Sequence, residues 1–268
     1  YLNNMREGSI IMKIKVFKTA KHLGESAALY TSEILKKAIA EKGSARIILS
    51  TGASQFDTLQ ALIGTDVDWS KVELFHLDEY LGLPISHGAS FRKYLNERFI
   101  SKVNLKAAHL VGDSAECIQE LTEEIRRSPI DVGLIGIGEN AHIAFNDPPA
   151  DFETREAYIV VDLNDTCKKQ QVGEGWFDTV DDVPKQAISM SVYQIMQCEK
   201  IVSCVPYAVK AKAVKDTLEN QLSNSIPATM LKLHKDFTLF LDSDSASMVD
   251  TDKIKLSDND TDYSYERL

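Results

Sequence analysis

The chain has 268 residues, 44% of them hydrophobic and 26% charged, which is ordinary globular composition with length for one large α/β domain or two small ones. A formal net charge of −10 argues against nucleic acid and anionic membranes as main partners, while leaving room for a local basic pocket that takes a phosphate. The four cysteines, Cys117, Cys167, Cys198 and Cys204, form no CxxC pair and no zinc-like spacing, and with no secretory signal visible they read as reduced thiols of a cytoplasmic protein.

The chain opens on Tyr1, and Met5 or Met12 is expected as the native start, so "YLNNMREGSI" carries no structural weight. "GSIIMKIKVF" is too short and too charged for a signal segment or a membrane span. "IKVFK" (14–18) then reads as a strand. Residues 22–43 have helical periodicity and stop on Gly43. "ARIILS" (45–50) is a short apolar run of the buried-strand kind, followed by "TGAS" and a helix over 55–63. "VELFHLDEY" (72–80) is a strand with polar residues gathered at its end. Helices follow over 90–103 and 114–128, the second with Ser114 as cap. "DVGLIGIG" (131–138) and "AYIVVDL" (157–163) are strands, and 164–184 is polar and irregular. A strand at 200–206, a helix at 208–219 and a strand at 237–242 complete the series.

Strands alternating with helices predict βαβ units and a largely parallel sheet in an α/β fold. No repeat and no Pro-, Gly- or Ser-rich linker divides the chain, so one domain over 12–245 is expected. The tail 246–268 is polar and acidic, a composition that favours disorder.

In such sheets the ligand sits at the carboxyl ends of the strands, where strand order reverses. That rule selects four segments. After the 45–50 run, Ser50, Thr51, Gly52, Ala53 and Ser54 offer hydroxyls, a close backbone approach and the N-terminus of the next helix, which suits a phosphate. The same turn also fits an ordinary Ser-capped helix start; it is not a Walker loop. Asp78 and Glu79 close the 72–80 strand. Adjacent strand residues point to opposite faces, so one of them can face a pocket as a general base, or cap the next turn instead. In "GIGENAHIAFNDPP" (136–149), Gly136 and Gly138 allow a tight turn, and His142 lies five residues before Asp147. A histidine held by a carboxylate can shuttle protons near neutral pH; the alternative is a buried structural histidine. Lys210, at the start of a helix after a strand, can reach a phosphate as a point charge, whereas Lys212 and Lys215 fit a solvated helix face. His76, Asp78, His142 and Asp147 are usable metal ligands, but no HxH or i,i+4 histidine pair joins them, so no metal is expected. No GxSxG elbow points to a serine nucleophile.

Together and in this order, "STGAS", "FHLDEYLGLP", "GIGENAHIAFNDP" and "VPYAVKAKAV" resemble the glucosamine-6-phosphate deaminase/isomerase family, part of a wider group that includes 6-phosphogluconolactonases. The resemblance spans residues 14 to 242. The lactonase branch usually has Ser-Leu-Phe-Pro after its Gly-His, and "AFNDP" here favours the deaminase branch. The resemblance implies a modified Rossmann-like three-layer fold, a mostly parallel sheet flanked by helices, and no cofactor. It implies conversion of glucosamine 6-phosphate to fructose 6-phosphate and ammonia, with a small sugar phosphate as partner, no nucleic acid, no membrane, and a homo-oligomer as an open option. By position, Asp78 would move a proton between C2 and C1 through an enediol-type intermediate. His142 would open the pyranose ring, and Asp147 would orient His142. Asn140 belongs to the same catalytic group. Ser50, Thr51, Gly52, Ala53 and Ser54 with Lys210 would hold the phosphate, and Glu79 and Gly138 complete the substrate-binding set.

Two departures accompany the resemblance. Asn140-Ala141 stands where deaminases typically have Asp-Gly, so no carboxylate is available at 140 and a methyl is added at 141. "KKQQVGEGW" offers Lys168, Lys169 and glutamines where the family has an arginine. A non-catalytic or altered-specificity sugar-phosphate binder and a lactonase-type hydrolase are the alternative readings. The polar stretch 148–182 is expected to act as a lid that keeps water from the chemistry.

Overall fold

A computed structural model describes residues 11–173, 175–254 and 262–268. After β1 (Ile11–Phe17), Thr19 starts α1 (Ala20–Lys42): its side chain accepts a hydrogen bond from His22 N at 3.3 Å, and the helix stops at Gly43. One stripe of α1 buries Leu23, Ala27, Ala28, Leu35 and Ala38. The chain continues through β2 (Ala45–Leu49), α2 (Phe56–Ile63), β3 (Val72–His76), β4 (Asp78–Tyr80), α3 (Phe91–Arg98), β5 (Ala107–His109), α4 (Cys117–Arg126) and β6 (Val132–Leu134). Then come β7 (Tyr158–Asp162), α5 (Asp165–Gly173), β8 (Gln186–Met190), the short α6 (Val192–Ile195), β9 (Lys200–Val205), α7 (Ala211–Glu219), β10 (Asp236–Asp242) and β11 (Asp262–Arg267).

Eight strands form one sheet in the order β11-β1-β10-β9-β6-β2-β3-β5, every pair parallel. Both faces are covered, which is why its strands read as unbroken apolar runs. On β2, Ile47 and Leu49 join an apolar cluster with Leu23 of α1, Leu59 of α2 and Leu95 of α3. Ile48 points the other way, into a cluster with Leu121 and Ile125 of α4 and Leu218 of α7. The result is the three-layer α/β fold expected from the sequence. Among the described residues no helix is long and apolar enough to cross a membrane.

From β2 the chain steps outward to β3 and β5, then returns with β6 on the other side of β2. The order reverses there, so the loops after β2 and β6 part at the carboxyl edge and leave a crevice.

The predicted strand 72–80 is two strands. β3 stays in the main sheet, and after Leu77 the chain enters a second sheet, β4-β8-β7, with antiparallel pairing that sets Asp78 opposite Ser189. Met190 N donates to Leu77 O at 2.7 Å at the transfer point. Apolar periodicity cannot register such a break, because both halves are buried. Other differences share a local cause. The helix expected from Ser114 begins at Cys117; Ser114 Oγ instead accepts from Glu116 N at 3.3 Å, forming a turn. The expected strand 131–138 forms ladder pairs only over Val132–Leu134 before turning into the cleft loop. The region 164–184, read as irregular, contains α5. The tail, expected to favour disorder over 246–268, supplies β11, which pairs with β1; residues 255–261 lie outside the described residues.

Candidate active site

Four loops meet over the carboxyl ends of β2, β3, β6 and β9 and enclose a cleft with ≈ 950 Å³ of empty space, its open mouth included. Ser50, Thr51, Gly52, Ala53 and Ser54 form one wall. Asp78 enters from β4, Gly138 and His142 from the β6 loop, and Lys210 from the turn before α7. Of the residues singled out in the sequence, these nine line one space. Asp147 and Asn140 stand behind His142, and Glu79 is elsewhere.

The Ser50–Ser54 turn is held from outside. Gly52 has φ 100°, which strains any other residue, and its carbonyl accepts from Tyr94 OH at 2.8 Å. Gln55 Nε2 donates to Cys204 O of β9 at 3.1 Å, locking the turn to the neighbouring strand. Among the described residues the buried Ser50 hydroxyl has no hydrogen-bond partner. Across the cleft, Tyr207 adopts φ 80° while its N–H donates to Asp242 Oδ2 at 3.0 Å, and Lys210, 8% exposed, follows on the next turn. A hydroxyl-rich turn facing a nearly buried lysine is chemically suited to an anion.

At the opposite end, the His142 loop is pinned to β8. Asn146 Nδ2 donates to Ile143 O at 2.8 Å and Met190 O at 2.9 Å, and Phe145 N donates to Ser189 Oγ at 3.1 Å. His142 Nδ1 lies 3.1 Å from Asp147 Oδ1. Asn140 bridges the pair: its Nδ2 donates to Asp147 Oδ1 at 3.2 Å, and its Oδ1 accepts from His142 N at 3.1 Å. Burial disfavours the Asp147 charge, but His142, Asn140 and Cys167 outweigh it and hold the carboxyl below the usual range. Gly138 is packed against the imidazole; a Cβ there would overlap the ring. Ala141, which adds a methyl to the loop, is buried at φ 64°.

Asp78 is 6% exposed, and burial first and the Glu79 charge second push its carboxyl up to about 8. A carboxyl titrating near neutrality at a cleft wall can both accept and return a proton.

Glu79 departs from the expected substrate role. It is fully buried and faces α3: Ser90 Oγ donates to its Oε2 at 2.8 Å, Arg92 N at 2.9 Å and Arg92 Nε at 3.2 Å, while Phe91 N donates to Oε1 at 3.2 Å. It neutralises the start of a helix and does not reach the cleft. His76, one of the usable metal ligands, is fully buried outside the cleft, and burial lowers its pKa to about 3. Among the described residues no group of three or more His, Cys, Asp or Glu side chains is arranged to hold a metal ion.

The structure adds cleft residues that the sequence did not single out. Gln170, Gln171 and Trp176 reach the cleft from the 148–182 stretch, whereas Lys168 and Lys169 do not line it. Gln171 is fixed by Tyr80 OH, which donates to its Oε1 at 2.6 Å. Phe91, Tyr207 and Val209 also line the space. Of these, Tyr207 carried a signal through its place in "VPYAVK", and Gln170 and Gln171 through "KKQQVGEGW".

A sequence profile described as glucosamine-6-phosphate isomerases/6-phosphogluconolactonase matches residues 18–240. The glucosamine-6-phosphate deaminase of Thermoanaerobacter sp. (strain X514) is 32% identical over 255 residues, covering 91% of this chain and 98% of that protein. The glucosamine-6-phosphate deaminase of Streptococcus gordonii is 34% identical over 222 residues, covering 81% and 92%. Among solved structures, a monomeric glucosamine-6-phosphate deaminase superposes with a TM-score of 0.80 at 28% identity, covering 90% of this chain and 100% of that one. A 6-phosphogluconolactonase from Trypanosoma brucei shares the fold at 16% identity, with a TM-score of 0.71, covering 90% and 100%. The cleft at the reversal point of the sheet is therefore set in a fold and a sequence of one lineage, and the chain belongs to the family of glucosamine-6-phosphate isomerases and 6-phosphogluconolactonases.

Proposed function

We propose that this protein is a glucosamine-6-phosphate deaminase, converting the amino-sugar phosphate and water to fructose 6-phosphate and ammonia. The observation that carries the reading is one cleft with an anion-binding end, Ser50–Ser54 and Lys210, and a proton-handling end, Asp78 and His142. Deaminases alike over nearly the whole chain support it.

In this reading the phosphate takes the hydroxyls of the Ser50–Ser54 turn and the charge of Lys210. Neutral His142 removes the O1 proton and returns one to O5, opening the ring, with Asp147 stabilising the imidazolium that forms. Asp78 then takes the C2 proton and delivers it to C1 through an enediol-type intermediate, and water displaces the nitrogen at C2. A buried carboxyl suits this step, since burial raises its proton affinity toward that of the transferred proton's partner. Gln170, Gln171 and Trp176 wall the cleft from the 148–182 side, in keeping with a lid that excludes water. Four cysteines, none in a disulfide, suit a reducing compartment, and we assign the protein to the cytoplasm on that ground.

The test is a panel of sugar phosphates with ammonia and ketose detection. Stoichiometric ammonia and fructose 6-phosphate from glucosamine 6-phosphate is the expected result. Binding without turnover would point to a sensor, and hydrolysis of 6-phosphogluconolactone alone to the lactonase branch.

A further inference from the structure

Tyr207 holds a backbone conformation that its side chain opposes. Among the described residues three non-glycines have positive φ, and two of them are alanines, Ala141 and Ala144. Tyr207 is the bulky one, at φ 80° and ψ 144°, a combination that glycine alone adopts without strain. Two backbone hydrogen bonds hold it there: its N–H donates to Asp242 Oδ2 at 3.0 Å, and its carbonyl accepts from Lys210 N at 3.0 Å. Neither uses the side chain, so a glycine would keep both and place Lys210 equally well. Nor does the phenol offset the strain by a polar contact within the protein. Among the described residues its hydroxyl makes no hydrogen bond and its ring stacks on no other. It is instead 38% exposed and lines the cleft together with Lys210 and the Ser50–Ser54 turn.

We propose that Tyr207 is a substrate-binding residue of the anion end: its phenol donates a hydrogen bond to the phosphate and its ring closes the cleft on the Lys210 side. Backbone strain kept at a cleft wall, with the side chain turned to the open space, is the signature of a group held ready for a ligand. A phenol adds to Lys210 what a point charge lacks, a directed donor to one phosphate oxygen. Burial first, then the charges of Asp57 and Asp242, raise the phenol's pKa above its ordinary value, so it keeps its proton where the enzyme works. The identity of the sugar rests on the deaminase reading; the phosphate contact does not.

The experiment is an NMR titration of the full chain with inorganic phosphate, beside kcat and KM for glucosamine 6-phosphate and a melting curve, for the wild type, Tyr207→Phe and Tyr207→Gly. Tyr207→Phe keeps the ring and removes only the donor, so the phosphate Kd should rise about 10-fold. KM for the sugar phosphate should rise with it, and kcat should carry little of the loss. Tyr207→Gly relieves the backbone, so its melting temperature should hold or rise while phosphate binds at least as weakly as in Tyr207→Phe. A phosphate Kd unchanged in Tyr207→Phe overturns the proposal, as does a wild type that takes up no phosphate. A melting temperature that falls in Tyr207→Gly with phosphate affinity intact marks a packing residue and overturns it too. If phosphate binding weakens as expected but no sugar phosphate is turned over, the deaminase reading fails and the contact stands. Turnover of glucosamine 6-phosphate with phosphate affinity unmoved keeps that reading and removes the contact.

Discussion

Asp78 and Glu79 are chain neighbours whose carboxylates serve opposite faces of β4. Asp78 lines the cleft, while Glu79 is fully buried against the first turn of α3 and its Arg92. The pleat separates them, and each raises a distinct expectation.

Asp78→Asn should abolish turnover, by about three orders of magnitude or more, because an amide cannot take the C2 proton. The same change should stabilise the fold at neutral pH. With its folded pKa raised to about 8, Asp78 keeps its proton in the folded chain while the unfolded chain releases it above its ordinary value of 3.8. The unfolded state therefore binds fewer protons between those values, and wild-type stability falls as pH rises through that window. An asparagine escapes the loss, so its melting temperature should exceed the wild type by ~4 °C or more at pH 8, converging near pH 4. Calorimetry across this range checks it.

In the wild type, activity should follow the basic form of Asp78. We expect kcat/KM for glucosamine 6-phosphate to fall on the acid side of pH 8, as the empty enzyme protonates its base. A flat profile from pH 6 to 9 would remove Asp78 from the proton-transfer step.

Glu79→Gln should leave the cleft side chains in place and cost stability instead. The variant loses the charge that pairs with Arg92 Nε at 3.2 Å and accepts from three backbone N–H groups. A loss of about 3 kcal/mol is expected for breaking a buried charged pair. Chemical denaturation measures it, and KM should move far less than for a phosphate-contacting residue.

Gly138→Ala should fold but lose activity by about 100-fold, because the added methyl takes the space of the His142 ring. Kinetics beside a melting curve separate the misplaced imidazole from unfolding.

Asn140→Asp tests the departure from the usual Asp-Gly. Asn140 now gives Asp147 a hydrogen bond at 3.2 Å. A second carboxylate there removes the donor and adds a like charge, so one of the pair must hold a proton. Stability at pH 7 should fall by about 1–2 kcal/mol and recover in acid, where one carboxyl is protonated. Denaturation at pH 7 and pH 4.5 gives the comparison.

Much of this protein is legible in its residues alone. Unbroken apolar runs alternating with helical stripes are local signals, and they carry the parallel α/β sheet. Strand–turn–helix punctuation marks the segments at its carboxyl edge, where Ser50–Ser54, Asp78, His142 and Lys210 meet. Side-chain alternation also says that Asp78 and Glu79 face opposite ways. It does not say which one faces the cleft; that depends on the break at Leu77 and the pairing of β4 with β8, whose residues are more than a hundred positions away. The same holds for β11, a polar strand that exists because β1 offers it an edge, and for Gln171, held by a tyrosine 91 positions distant. Burial and proton affinity are properties of such encounters between segments, so the residue types announced the chemistry and tertiary packing decided which of them could perform it.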